Sequence, residues 1–72
     1  MGSVFGERLA RILGERDMSN AELARRCGIH PNTIGVYVAG SHEPTAGKVA
    51  AISKALGVSA DWLLGLTEED AR

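Results

Sequence analysis

A chain of 72 residues forms one small domain, and its single cysteine excludes an internal disulfide. A core of this size supplies only about 3–5 kcal/mol, so we expect tight helix packing or self-association. The formal net charge of −1 argues against non-specific coating of DNA but leaves room for a local basic face. No apolar run approaches the roughly 20 residues of a membrane span, and we expect no membrane contact.

Five helical segments follow in chain order. Apolar residues at steps of three and four predict the first helix, and a capping box of Ser19 and Glu22 opens the second. In that box Ser19 accepts from the Glu22 N–H while the Glu22 carboxylate reaches back to the Ser19 N–H. The predicted ranges are Val4 to Arg16, Asn20 to Cys27, Pro31 to Ala39, a fourth helix capped by Thr45 and stopped by Gly57, and a short fifth helix between Ser59 and Gly65.

The second and third helices are joined by a very short turn at Gly28. Gly28 supplies a left-handed residue that ends one helix, and Pro31 suits the first position of the next. Two helices joined this tightly cross at a steep angle, which is the geometry of a helix-turn-helix. The outer face of the third helix can then enter a DNA major groove.

Four motifs carry a family resemblance: the helix-turn-helix of residues 19–40, the Tyr37-x-x-Gly40 closure, the Glu43-Pro44 loop, and the ending of residues 55–65. Over about residues 4–66 the chain resembles Cro/repressor-type (xenobiotic-response-element-like) helix-turn-helix DNA-binding domains. It is similar to the N-terminal domains of lambdoid phage repressors. The resemblance implies an all-α, compact five-helix bundle (lambda-repressor-like) in one domain spanning residues 1–72. Its helical core covers about residues 4–66, and we expect the acidic tail of residues 67–72 to be frayed.

Two departures from the family pattern are informative. Members often carry a buried arginine–glutamate pair between the first and third helices, where this chain has Leu13 and Val38. Losing both charges together is physically reasonable, because a lone buried charge costs several kcal/mol. We therefore predict that Leu13 and Val38 touch. The usual phosphate-contacting glutamine at the start of the second helix is here Asn20.

Helical spacing predicts that Ile34, Tyr37 and Val38 of the third helix face the core. The outward face carries no charge, although arginine to guanine is the commonest specific base contact. Asn32 can bond adenine in a bidentate manner, or it can serve only as a helix-start residue. Val36 can meet a thymine methyl group, or it can belong to a protein-interaction surface. The predicted base contacts are Pro31, Asn32, Thr33, Gly35 and Val36.

Phosphate contacts fix the register of a protein on DNA without reading sequence. The predicted set is Asn20, His30, Ser41, His42, Arg11, Arg25, Arg26 and Lys48. His30 can instead be an N-cap, and Arg25 and Arg26 can simply be solvent-exposed. The resemblance implies a dimer contact around the loop before the fifth helix, for which we predict Val58, Ala60 and Leu66.

Together these features predict a sequence-specific transcriptional regulator of double-stranded DNA. We expect a cytoplasmic, nucleoid-associated repressor of bacterial or phage origin. It would bind a two-fold symmetric operator as a homodimer, which can form on DNA even where the free protein is a monomer. The alternative is a protein-interaction module on the same scaffold, such as an antitoxin-like or anti-regulator subunit with little DNA binding. No nucleophile–base set, carboxylate pair or metal-ligand spacing is found. We therefore expect no enzymatic activity, cofactor, metal or small-molecule ligand.

Overall fold

Five α-helices follow one another in the computed structural model, which describes residues 3–69. They are α1 (Val4–Glu15), α2 (Asn20–Cys27), α3 (Pro31–Ala39), α4 (Ala46–Leu56) and α5 (Ala60–Leu64). No strand occurs in this part of the chain. The predicted all-α, five-helix fold is confirmed. The first helix ends at Glu15, one residue earlier than predicted, with Arg16 as its C-cap.

Side-chain caps set where the helices begin, because they satisfy backbone N–H groups that have no partner inside the helix. The predicted caps of α2, α4 and α5 are confirmed, each accepting from a first-turn N–H: Ser19, Thr45 and Ser59. Ser3 caps α1 in the same way, accepting from the Gly6 N–H at 3.0 Å, a contact that was not predicted.

The capping box predicted for α2 is formed only in part. Ser19 Oγ accepts from the Glu22 N–H at 3.1 Å, as expected. The Glu22 carboxylate accepts instead from Arg26 Nη2 at 2.9 Å, one helical turn further along. The predicted reciprocal bond to the Ser19 N–H was therefore wrong, because an ion pair on the same helix face takes the carboxylate.

The helices pack in a closed ring in which each makes its main contacts with two neighbours. In spatial order they run α3, α1, α5, α4 and α2, with α2 returning to α3. This closure surrounds one apolar core, and no polar or charged residue is buried among residues 3–69. The largest fully buried side chains are Trp62, Leu9, Ile12, Leu23, Ile34, Ile52 and Leu63.

The crossing of α1 and α3 depends on Gly6. A Cβ at Gly6 would overlap the Tyr37 carbonyl oxygen and lie 3.3 Å from the Val38 carbonyl oxygen. The two backbones therefore approach more closely than any other residue would allow. Leu13 is buried and Val38 is half-buried against the same core. Their direct contact remains a prediction.

Two arginines of the α1 region bind carbonyl groups far along the chain. Arg8 Nη1 donates to the carbonyl oxygens of Trp62 at 2.6 Å and Thr67 at 2.7 Å, and Arg8 Nη2 pairs with the Glu68 carboxylate. Arg16 donates to the Leu56 carbonyl oxygen. Residues 67 and 68 of the acidic tail thus contact α1, residues 70–72 lie outside the described part, and fraying of the tail stays a prediction.

Candidate nucleic-acid interface

The turn between α2 and α3 is closed by backbone geometry and by an imidazole. Gly28 has a φ of 72°, and Ile29 anchors the turn because its side chain is buried. His30 Nδ1 accepts from the Asn32 N–H at 3.1 Å, which confirms His30 as the N-cap of α3. Because Nδ1 accepts, a neutral imidazole carries its proton on Nε2. That nitrogen is the one left to donate to a phosphate.

The two faces of α3 divide as the helical spacing predicted. Ile34 and Tyr37 are buried, and the Tyr37 ring meets the Phe5 ring edge-on at a centroid distance of 5.9 Å. The predicted base-contacting residues lie on the other side, where Pro31 and Asn32 are exposed and Thr33, Gly35 and Val36 are half-buried. The Asn32 side-chain amide makes no hydrogen bond with the described residues, so its donor and acceptor remain available.

The loop after α3 folds alongside this outward face. Together they line an open concavity of about 350 Å³, formed by Asn32, Thr33, Val36, Tyr37, His42 and Glu43. Three predicted base contacts and the predicted phosphate contact His42 are thus brought together. Ser41 is also exposed in this loop. The sequence shows Glu43 only as part of a loop motif, which does not predict that this residue lies beside the outward face of α3.

The start of α2 also approaches the middle of α3. Asn20 Nδ2 lies 3.7 Å from the position that a Cβ on Gly35 would take. Asn20 is exposed and its amide makes no hydrogen bond with residues 3–69. The first N–H groups of α2 and the Asn20 amide therefore border the same surface as the outward face of α3.

Nothing within residues 3–69 requires a glycine at position 35, which is also true of the helical glycines Gly14 and Gly47, but Gly35 lies on the outward face of α3. Its φ is not in the left-handed region, and an added Cβ would make only an ordinary van der Waals contact. A glycine inside a helix costs about 1 kcal/mol relative to alanine. The chain therefore keeps a destabilising residue on an accessible helix face where its own packing would accept alanine.

The predicted basic residues are not equivalent. Arg11 lies over the Trp62 ring at 5.7 Å and its Nε is 3.2 Å from the Glu15 carboxylate, so it is engaged on the α1–α5 side. Arg26 is paired with Glu22, as described above. Arg25 and Lys48 are exposed, and their side chains form no ion pair or hydrogen bond within the described residues. These last two are the cations most available to a phosphate.

The predicted dimer residues fall into two groups. Val58 is only 5% exposed and belongs to the core of the protomer, so its side chain offers little surface to a partner, and its dimer contact stays a prediction. The Val58 carbonyl oxygen accepts from Ser53 Oγ at 2.6 Å, which draws this loop inward. Ala60 is half-buried, whereas Leu66 is 73% exposed.

The exposed apolar residues gather on one side. Within residues 3–69 the exposed large apolar side chains are Val4, Leu64 and Leu66. Val4 lies against Gly65, where an added Cβ would come within 2.7 Å of Val4 Cγ1. Leu64 also lines an apolar groove of about 400 Å³ with Pro44, Ala46, Val49, Ala50 and Ala60. We call this groove and the three exposed side chains the α4–α5 face.

None of the five helices described combines the length and the hydropathy needed to cross a membrane. This finding complements the sequence pattern, in which no long apolar run occurs.

Comparison with known proteins agrees with this architecture. A family model described as helix-turn-helix matches residues 8–63. An uncharacterized HTH-type transcriptional regulator of Bacillus subtilis (strain 168), YobD, is 29% identical over 66 residues, which cover 92% of this chain and 59% of that protein. The chain thus spans about three-fifths of the length of this relative. Because the family model covers most of the chain, including all of α2, α3 and α4, this protein belongs to the Cro/C1-type helix-turn-helix family.

Proposed function

We propose that this protein is a sequence-specific DNA-binding transcriptional regulator, and that it acts as a repressor. The outward face of α3 enters the major groove, and the protein binds a two-fold symmetric operator as a homodimer. It acts in the cytoplasm on bacterial or phage DNA. Membership of the helix-turn-helix family and the similarity to a transcriptional regulator support the DNA-binding part of this proposal.

The observation that carries the proposal is the combination of Asn32 and Gly35 on one helix face. Asn32 offers an unengaged amide, whose donor and acceptor match N7 and N6 of adenine. Gly35, one turn along, removes a side chain that the fold would tolerate, which allows a neighbouring surface to approach the α3 backbone. Both features suit a helix that reads base edges in the major groove.

Contacts with the DNA phosphate backbone on both sides of α3 would fix the register of the protein on the duplex. The Asn20 amide, the Nε2 atom of His30, and the hydroxyl and imidazole of Ser41 and His42 can donate to phosphate oxygens. Arg25 and Lys48 would add charge. With so few neutralised phosphates the salt dependence should be shallow, since each contributes a slope of about −0.9.

Selection of bound sequences from a random duplex pool tests this function directly. We expect an enriched motif with two-fold symmetry and an A·T pair at the Asn32 contact in each half-site. Asn32→Ala should cost about 1–3 kcal/mol and relax that one position. Asn20→Ala is the matched control, because loss of a phosphate contact weakens all sequences alike. An unchanged motif and affinity for Asn32→Ala would refute this reading of α3.

The α4–α5 face supports self-association. It combines a highly exposed Leu66 with an apolar groove lined by Leu64, so two copies related by a two-fold axis could each insert a leucine into the other's groove. Burying apolar area yields about 25 cal/mol per Å², and a patch of this size gives a weak dimer that DNA would complete. In that complex the two α3 helices would lie roughly 34–36 Å apart, one turn of duplex.

Leu66→Asp tests the dimer. The variant should bind a single half-site as well as the wild type does, but it should lose cooperative binding to the full operator. Lys54→Asp is a control on the same scaffold, since Lys54 is exposed at the end of α4 and is not part of the α4–α5 face. Full cooperativity in Leu66→Asp would mean that another surface joins the subunits.

The competing function is a protein-interaction module with little DNA binding. It is favoured by the near-neutral charge and by the apolar character of Val36 on the outward face of α3. A titration with random duplex at low salt separates the two functions. Complete absence of binding, together with an empty selection, would favour the interaction module.

A further inference from the structure

The concavity beside α3 contains one fixed charge, and it is negative. Of its six lining residues only Glu43 carries a formal charge at neutral pH when histidine is neutral. The Glu43 carboxylate is exposed and forms no ion pair or hydrogen bond within residues 3–69. The other acidic residues with a described partner are engaged elsewhere: Glu15 with Arg11, Glu22 with Arg26 and Glu68 with Arg8.

No cation within residues 3–69 forms an ion pair with Glu43, although Arg25 and Lys48 are exposed and unpaired. Arg8 and Arg11 lie over the Trp62 ring on the α1–α5 side, and Arg26 is held by Glu22. The outward face of α3 is uncharged throughout. A duplex that approaches α3 therefore meets a carboxylate flanked by neutral side chains.

We propose that Glu43 is a determinant of DNA selectivity, because its carboxylate repels the phosphate backbone of any duplex lying against α3. Binding to DNA of arbitrary sequence rests almost entirely on attraction between cations and phosphates. A like charge on the binding surface opposes that attraction and leaves the base contacts of α3 as the main source of affinity. This inference depends on the proposed function and names a residue outside its set of contacts.

The size of the effect follows from Coulomb's law. A charge about 7–10 Å from a phosphate in water interacts by a fraction of a kcal/mol, and several phosphates lie within one Debye length. Removing the carboxylate should therefore tighten binding to random duplex about threefold to tenfold at low ionic strength. The gain should shrink as salt rises, because screening shortens the range of the repulsion.

The test compares binding of the full chain to one random duplex across a salt series. Glu43→Gln keeps the size of the side chain and removes its charge. Glu69→Gln changes the net charge equally, but Glu69 follows the segment that Arg8 holds on the α1–α5 side. We expect tighter binding for Glu43→Gln and less than a twofold change for Glu69→Gln. Glu43→Lys should also steepen the salt slope by about one unit.

Two results would overturn the inference. Equal effects of Glu43→Gln and Glu69→Gln would show that only net charge matters. Weaker binding by Glu43→Gln would show that the carboxylate accepts a hydrogen bond, for example from a cytosine amino group. If the wild type, Glu43→Gln and Glu43→Lys all fail to bind any duplex, the proposed function itself fails, and this inference falls with it.

Discussion

Replacing Gly35 by alanine should make the protein more stable and a poorer DNA binder. The added Cβ would lie 3.7 Å from Asn20 Nδ2, an ordinary contact, so no strain opposes the change. Alanine restores about 0.5–1 kcal/mol of helix stability. For a domain of this size 1 kcal/mol shifts Tm by about 4–8 °C, so we expect a rise of about 2–8 °C. Thermal unfolding followed by circular dichroism measures it.

The same methyl group should interfere with DNA. If the duplex approaches the α3 backbone at Gly35, an added Cβ must hold the duplex further from the helix. The DNA contacts of α3 on either side of position 35 then lengthen together. We expect at least a tenfold loss of affinity for the selected operator, equivalent to about 1.4 kcal/mol. A filter-binding or fluorescence-anisotropy titration gives the number.

Two other helical glycines serve as matched controls. Gly14 in α1 and Gly47 in α4 have nothing within 4 Å of an added Cβ. Gly14→Ala and Gly47→Ala should therefore raise Tm and leave the operator affinity unchanged. If Gly35→Ala binds the operator as tightly as these two variants, the argument that this glycine admits a DNA surface is refuted.

Three further predictions concern the fold. Gly6→Ala should lower stability by about 1–3 kcal/mol, because its Cβ overlaps a backbone carbonyl; the midpoint of urea unfolding reports the loss. Arg8→Met should cost about 1–3 kcal/mol, since it removes the hydrogen bond to the Thr67 carbonyl oxygen and leaves the Trp62 carbonyl oxygen with only the Gly65 N–H, and should increase amide hydrogen exchange near Thr67. Leu13→Arg should destabilise the protein by about 3–5 kcal/mol, and adding Val38→Glu should recover at least 1 kcal/mol in a double-mutant cycle.

Each of these predictions has an outcome that contradicts it. A Gly6→Ala variant that is more stable than the wild type would mean that α1 and α3 can move apart without lowering the free energy of unfolding. Unchanged exchange near Thr67 in Arg8→Met would mean that other contacts hold the tail. Additive effects of Leu13→Arg and Val38→Glu would show that the two positions do not touch.

The helix boundaries could be predicted because their signals are local. A capping hydroxyl and the backbone N–H that donates to it lie three residues apart, and a terminating glycine marks its own position, so Ser19, Thr45, Gly28 and Gly57 could each be identified without the fold. The division of α3 into inward and outward faces was also local, since it depends only on helical spacing. For the same reason, the sequence alone could predict which residues of the candidate site lie on the outward face of α3.

Contacts between distant residues were not readable in this way. Arg8 reaches carbonyl groups more than fifty positions away, and nothing in its neighbourhood distinguishes it from Arg11. Val58 follows a helix stop and has an apolar side chain, so the sequence alone does not decide between a protomer core and a subunit contact. Glu43 was placed beside α3 by the path of the loop, which no local pattern specifies.

The uncharged core also affects how this protein can change over generations. A buried arginine–glutamate pair couples two positions, because a substitution at one of them leaves the charge at the other buried without a partner. Because the buried side chains within residues 3–69 are apolar, each core position can gain or lose a single methyl group with only a modest loss of folding stability. The scaffold can therefore absorb sequence variation gradually, while the face of α3 adapts independently to new targets.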